Sequence, residues 1–448
     1  MPGSERSQSL RANALFKRAL CPVRMQANAR AVRFVERQRI VDASSIFWAL
    51  MVSLGSNTAQ YLSDVLRTLN CQQSRALRYK PFWNRLSKPA FPRFMRETFE
   101  RLCGELVTRV VARRLKGAAG YFSDIFIDDG SSLGVADGLK DVFPGRFTRV
   151  RPATVELHAR MSLFTDQLVS VKLAPDTRGE REFLPIPEQL PKRSLSLRDR
   201  GYIDIRYFEQ LEGTEAFVIC RSRSNLNPVI LEMRGVPRSL ARRWRGKRLT
   251  DVPRSQLKAA TDILVAYNGT DRKPVKLRLV VRQLPPSKRR PPRHPRKKQP
   301  KPQPSWLYLV TNLPDQFTAD DIQNFYRLRW QIELVFKDWK SYANLRAFPS
   351  ENPAIVEGLI WASLCAAFIK RALSHWAQLV YGRPISTRAA AQAGPLLMQG
   401  FAAWATQRAP LRELVRLLSF LANTAARAHP RRDKLRPQQL VGLLLACA

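Results

Sequence analysis

The chain has 448 residues, 45% of them hydrophobic, and sets 76 Lys plus Arg against 36 Asp plus Glu, a formal charge of +40 at neutral pH. That length exceeds one simple core, so two or three domains are expected. The charge repels itself unless a polyanion neutralises it, which favours a nucleic-acid partner over a merely basic protein or a membrane-surface binder. Six scattered cysteines without a CxxC pair, and four histidines, argue against a zinc centre, a disulfide framework and a His-based metal site.

Residues 1 to about 118 read as helical. The segment 40–69, "IVDASSIFWALMVSLGSNTAQYLSDVLRTL", holds two helix-length pieces broken at Gly55. That pattern fits a helix-turn-helix reader of DNA and equally an ordinary Gly-broken helix pair. The N-terminus, with basic residues interrupting every apolar run, is not a secretory signal.

From Tyr121 the texture changes to strands. "YFSDIFIDDGSSL" reads as a strand running into a turn, with Gly130 allowing the chain to bend so that the Asp129 carboxylate faces a cleft. Asp128, its neighbour, points to the opposite side of an extended strand. Strands are predicted at 154–164, 167–173, 215–222, 262–268, 275–284 and 305–313, and a short strand, turn and helix over 194–211. Asp199 continues the face of Leu195 and Leu197, although "KRSLSLR" before it is more polar than a buried central strand should be. For a single aspartate a turn or helix cap is the ordinary explanation.

Residues 285–304, "PPSKRRPPRHPRKKQPKPQP", contain eight prolines and no acid. Such a composition forms no core and reads as an extended basic loop, fitting both non-specific phosphate contact and a solvated insertion. Beyond about 352 the chain is helical to its end. Its longest apolar run, Gly358 to Ile369, is too short to span a bilayer and reads as a buried helix. A soluble, cytoplasmic protein is expected.

Between the insertion and that run lies "YRLRWQIELVFKDWK", residues 326–340. On one continuous helix turning about 100° per residue, with Tyr326 at zero, Arg329 falls at about 300°, Glu333 at about 340° and Lys340 at about 320°. Lys337, at about 20°, and Trp330, at about 40°, flank this stripe. Upstream, Thr318-Ala-Asp-Asp321 forms a capping-box pattern that starts a helix. The stripe fits an ordinary solvated face with Arg329–Glu333 and Glu333–Lys337 pairs. It also fits a carboxylate working among cations on a polyanion. Asp129, Asp199 and Glu333, from separate elements and without His or Cys, form a hard-oxygen donor set suited to Mg²⁺ or Mn²⁺. Two such ions clamp the attacking and leaving oxygens of a phosphoryl displacement.

The pattern Tyr326-x2-Arg329-x3-Glu333-x6-Lys340 resembles the YREK signature of bacterial insertion-sequence DDE transposases, the group containing insertion sequence family four. "DDGSSL", "DRGYID" and "YLVTNLP" stand in the corresponding order, over roughly residues 120–345. The resemblance implies an α/β fold: a ribonuclease-H-like catalytic core over 119–350 with a β-rich insertion at about 223–304. Helical regions flank it, the first (1–118) a DNA-end-binding region and the second spanning 351–448; the length is that of a full protein. It implies Asp129, Asp199 and Glu333 as catalytic ligands of two Mg²⁺ or Mn²⁺ ions. It further implies Tyr326, Arg329 and Lys340, with flanking Lys337, as contacts to DNA near the cleaved end. Trp330 fits both stacking on a flipped base and core packing. The expected partners are double-stranded DNA, as inverted-repeat ends and as target, and a second copy of the chain that brings two ends together. A plain metal-dependent nuclease would share the acids, and a non-catalytic DNA-binding protein would need only the charge.

Overall fold

The computed structural model describes residues 3–426, apart from 38–40, 74, 108–116, 223–225, 257–260, 271–272, 285–305, 346–347, 349 and 407–409. The proline-basic tract and the end of the chain beyond 426 therefore lie outside the described residues. The chain forms two compact units.

The first unit gathers the described parts of Met1–Ala112, Gly130–Arg178 and Gln331–Leu435. Its helices are α1 (Gly3–Ala19), α2 (Pro22–Ala31), α3 (Ala43–Gly55), α4 (Leu62–Cys71), α5 (Tyr79–Leu86) and α6 (Ala90–Glu105) from the N-terminal part. The expected break at Gly55 is present: α3 ends there and α4 begins after a short loop. Asp42 caps α3, its carboxylate accepting from the Ser45 amide at 2.6 Å. Every residue of α3 except Ser45 is buried, so this helix is an interior element without a polar face.

The strand that opens the middle of the chain, β1 (Asp124–Gly134), is shared, its residues divided between the two units. In the first unit its later half is followed by the antiparallel hairpin β2 (Thr154–Ser162) and β3 (Gln167–Pro175). The expected turn after Asp129 is not there, since the strand runs on through Gly130. The glycine is needed for a different reason: a Cβ at that position would lie 2.6 Å from Oε1 of buried Glu156 on β2.

In the second unit, described within Arg113–Asp129 and Gly179–Trp330, the early half of β1 pairs in parallel with β4 (Ser194–Arg198). After the helix α7 (Ile205–Gln210), β5 (Phe217–Arg221) pairs in parallel with β4. All five residues of β4 are buried, polar sequence notwithstanding. Its serines are small, and Arg198 is neutralised in place by Asp128. Next come β6 (Val229–Arg234), absent from the sequence reading, α8 (Arg238–Trp244), β7 (Thr261–Asn268), β8 (Pro274–Gln283) and β9 (Trp306–Thr311). The sheet runs β3-β2-β1-β4-β5-β9-β8-β7-β6, and from β9 outward every pairing is antiparallel. The segment between β5 and β9 thus extends the sheet edge. Its core joins Val218, Ile230, Ile263, Val265, Leu279 and Val310 to the aromatic rings of α7 and α8.

The chain ends in helices: α9 (Ala319–Arg327), α10 (Trp330–Tyr342), α11 (Pro353–Tyr381), α12 (Thr387–Gln392), α13 (Gly394–Thr406) and α14 (Leu411–Thr424). The apolar run expected to be a short buried helix is the middle of α11, 29 residues long. By length and composition α11 could cross a membrane, yet 78% of its most apolar window is buried inside the unit. It is the central post of the first unit, packed against α1, α3, α6, α14 and β3. Trp361 and Trp376 on it are fully buried.

Candidate active site

The second unit holds both candidate aspartates. Asp128 on β1 pairs with Arg198, the last residue of β4, and Asp129 and Asp199 are the residues that follow that pair. Adjacent residues of an extended strand face opposite ways. Asp128 therefore turns to Arg198, which donates to its Oδ2 at 2.8 Å, while Asp129 turns to the opposite face of β1. The Arg198 guanidinium also stacks over the Tyr207 ring, 4.5 Å from its centroid. Burial alone would lower its pKa, but the Asp128 charge and Tyr207 outweigh that and raise it. Asp128 is thus committed to the core.

Each of the outward acids has a partner from the junction of α9 and α10. Arg329 Nη1 donates to Asp129 Oδ2 at 2.6 Å, with only 14% and 15% of the two side chains exposed. The Tyr326 hydroxyl donates to Asp199 Oδ1 at 3.2 Å. Burial first, and the Asp199 charge second, push the Tyr326 phenol far above its ordinary value, so it stays a donor. Arg221, at the end of β5, stands 4.0 Å from Asp199 Oδ1. Sequence reasoning missed Arg221, though its position at the end of a strand neighbouring Asp199 was a usable signal. Gly201 in "DRGYID" is also explained: a Cβ there would lie 1.2 Å from a carboxylate oxygen of Glu180, another acid that the reading passed over.

The single helix expected over 326–340 is two helices. Its start is as anticipated, with the Thr318 hydroxyl accepting from the Asp321 amide at 3.1 Å and Asp321 accepting from the Thr318 amide at 2.9 Å. The chain then leaves α9 at Arg327 through a tight turn, Leu328 bonding back to Phe325 and Arg329 to Tyr326, before α10 begins at Trp330. The reason lies far off in sequence: Arg329, one residue before α10, is held at Asp129. Tyr326 and Glu333 therefore lie on different helices.

Glu333 sits in the first turn of α10, half-buried, within the first unit. Lys337 and Lys340 on the same helix are exposed. The Lys340 ammonium is held below its ordinary pKa, first by desolvation around its stem and then by the charge of Arg151. Trp330 is 52% exposed, which removes the core-packing explanation for that ring. Among the described residues no three His, Cys, Asp or Glu side chains gather closely enough to hold one ion. The donor chemistry of Asp129 and Asp199, carboxylate oxygens with a phenol beside them, nevertheless fits a hard divalent cation.

The model of the transposase DDE domain family matches residues 120–369. The putative transposase InsL of insertion sequence element IS186A from Escherichia coli (strain K12) is 44% identical over 64 residues, 14% of this chain and 17% of that protein. The transposase of insertion sequence element IS231B from Bacillus thuringiensis subsp. berliner is 23% identical over 385 residues, 79% of this chain and 78% of that protein. Among solved structures, a piggyBac transposase synaptic complex with hairpin DNA covers 94% of this chain and 86% of its own, at 13% identity and a TM-score of 0.43. Matched by the family model over more than half of its length, the chain belongs to the transposase DDE domain family, beside the transposases of bacterial insertion sequences.

Proposed function

We propose that this protein is a cut-and-paste DNA transposase acting in the bacterial cytoplasm. It binds the inverted-repeat ends of its element, cleaves a DNA strand in a metal-dependent reaction, and joins the freed 3′ end to target DNA. The observation that supports the reading is the bonding of Arg329 to Asp129 and of Tyr326 to Asp199, the two acids that follow the register pair Asp128 and Arg198. The strand order β3-β2-β1-β4-β5, with β1, β4 and β5 parallel, supports a ribonuclease-H-like core.

In this reading Asp129, Asp199 and Glu333 hold two Mg²⁺ or Mn²⁺ ions. When bound, the ions supply positive charge to the attacking and leaving oxygens of an in-line phosphoryl transfer. Arg329, Lys337 and Lys340 hold the phosphates of the cleaved end, and Tyr326 orients Asp199 through its hydroxyl. Trp330, exposed beside them in sequence, offers its face to an unstacked base. Two ends must meet for joining, so the working assembly is a homodimer.

The test is a Mg²⁺-dependent cleavage and joining assay on DNA carrying the inverted repeats that flank the gene, with wild type against Glu333→Ala. Cutting and joining by wild type alone supports the proposal. Cutting without joining would make the protein a nuclease. Binding without cutting in both would make it a DNA-binding protein with no chemistry of its own.

A further inference from the structure

The loop between β1 and β2 has no part in the site above, yet its tip is both apolar and cationic. From 142 to 155 it contains three arginines, Arg146, Arg149 and Arg151, and no acid. Residues 146–151 are all exposed, and two of them are large and apolar: Phe147 at 67% and Val150 at 80%. A lone exposed apolar side chain needs no explanation, but two on one short tip, interleaved with cations, do.

The tip is also held in shape. Its base is closed by a bridge between Pro144 and Ala153 and by the Gly145 amide bonding Pro152 O at 2.8 Å. A Cβ on Gly145 would lie 2.2 Å from Arg151 O, so only glycine permits this closure. The tip itself is one turn, with the amides of Val150 and Arg151 both bonding Phe147 O, at 3.0 and 2.8 Å. Arg146 ties the stem down, donating to Asp176 O at 3.1 Å beside the buried carboxylates of Glu156 and Asp176. At the other end of the tip, Arg151 lies near enough to Lys340 for its charge to bear on that ammonium.

We infer that this loop is a DNA wedge: Phe147, backed by Val150, enters between two base pairs of the bound duplex while Arg149 and Arg151 hold the flanking phosphates. The inference rests on the DNA reading proposed above and adds a base-step contact to it. Proteins that kink DNA insert an apolar side chain into a base step and neutralise the backbone beside it. A wedge needs a ring presented on a stiff support, since ordering a floppy loop would cost much of what insertion gains. The closed base and pinned stem supply that support. Charge selects the occupant, because Arg149 and Arg151, beyond the tethered Arg146 and with no acid among residues 146–151, favour a phosphate backbone over a second basic chain.

The experiment uses the full chain in EDTA, with labelled duplexes tiling the DNA that flanks the gene, and 2-aminopurine placed at successive steps. Wild type is expected to bind and to raise the fluorescence at one step. Phe147→Ala should lose that rise and about tenfold in affinity at unchanged salt slope, whereas Phe147→Leu, still an apolar wedge, should keep the rise. Arg149→Ala should lower the salt slope by about one while the rise remains. Binding by wild type with no rise at any step would overturn the wedge and leave DNA binding standing. A rise that survives in Phe147→Ala would overturn it too, as would a loss of self-association in that variant with DNA behaviour unchanged. If wild type bound none of the duplexes, the DNA-end reading itself would fall.

Discussion

Asp128 and Arg198, register partners on neighbouring parallel strands, form an ion pair of 2.8 Å with 8% and 1% of their side chains exposed. The residue that follows each of them is a candidate catalytic aspartate. One pair of positions thus serves the core, and the following pair carries the proposed chemistry.

Substitution should separate the two adjacent acids. Asp128→Ala leaves a buried guanidinium without its carboxylate and is expected to cost about 3–5 kcal/mol, read from urea denaturation. Asp129→Ala should fold with a smaller loss and show no cleavage of element-end DNA. Equal stability in the two variants would contradict the division between core and site.

Arg329 occupies Oδ2, one of the two oxygens that Asp129 could offer a cation. Replacing it by Gln removes a charge-assisted bond and a competing positive charge. Mn²⁺ affinity, measured by titration calorimetry on the DNA-free protein, is expected to rise about tenfold. DNA cleavage should fall in the same variant, because in the proposed function the guanidinium also holds phosphate. Unchanged Mn²⁺ affinity would show that the ion pair does not stand in the metal's way.

Lys370 on α11 donates to Gly55 O at 2.9 Å and to Tyr342 O at 2.6 Å, capping the C-terminal ends of α3 and α10 with one buried ammonium. Burial lowers its pKa to about 8, with Asp338 opposing. The unfolded value is about 10.4, so between the two the folded state binds fewer protons and stability rises with pH. Lys370→Met should lack that rise and, near neutral pH, lose about 2 kcal/mol through two carbonyls deprived of this donor. Denaturant midpoints of both proteins at neutral and alkaline pH would show it.

The acid side rests on Asp166, which accepts from His375 at 2.9 Å and also pairs with Arg371. Its burial works against ionisation, but Arg371 and His375 outweigh that and hold the carboxyl well below its usual range. Burial pushes His375 down as well, against the pull of Asp166. Both folded pKa values lie below the unfolded ones, so the stability each group contributes is present at neutral pH. It is lost first as pH falls below about 6.5, where the unfolded histidine charges, and again below about 4. Asp166→Asn should flatten the lower of these two steps in a melting-temperature profile. Two intact steps in that variant would assign the acid lability elsewhere.

Much of this was legible in the sequence. The strands at 167–175 and 306–311 and the capping box at Thr318 announce themselves through apolar runs and side-chain chemistry that act locally. The candidate residues Asp129, Asp199, Tyr326 and Arg329 were marked by position, and the second unit pairs each acid with one of the two cation-side residues. What stayed hidden depends on partners distant in sequence. Nothing in Leu328-Arg329, both good helix formers, signals a helix break, because the cause lies at Asp129. "KRSLSLR" looks too polar for a central strand until Asp128 is set beside Arg198. Gly130 and Gly201 look like turn residues, whereas the carboxylates of Glu156 and Glu180 fill the space that their side chains would take.

The position of α11 has a consequence for how the protein is made. Helices α1, α3 and α6 are synthesised early, and all three pack against a post whose first residue is Pro353. Every residue of α3 but Ser45 is buried, and the ammonium that caps its end is residue 370. On the ribosome the N-terminal helices therefore wait, with their apolar surface uncovered, until most of the chain has emerged. A transcript cut short before α11 would yield a sticky, protease-sensitive fragment, so the opening third of the gene cannot by itself supply a folded competitor of the whole protein.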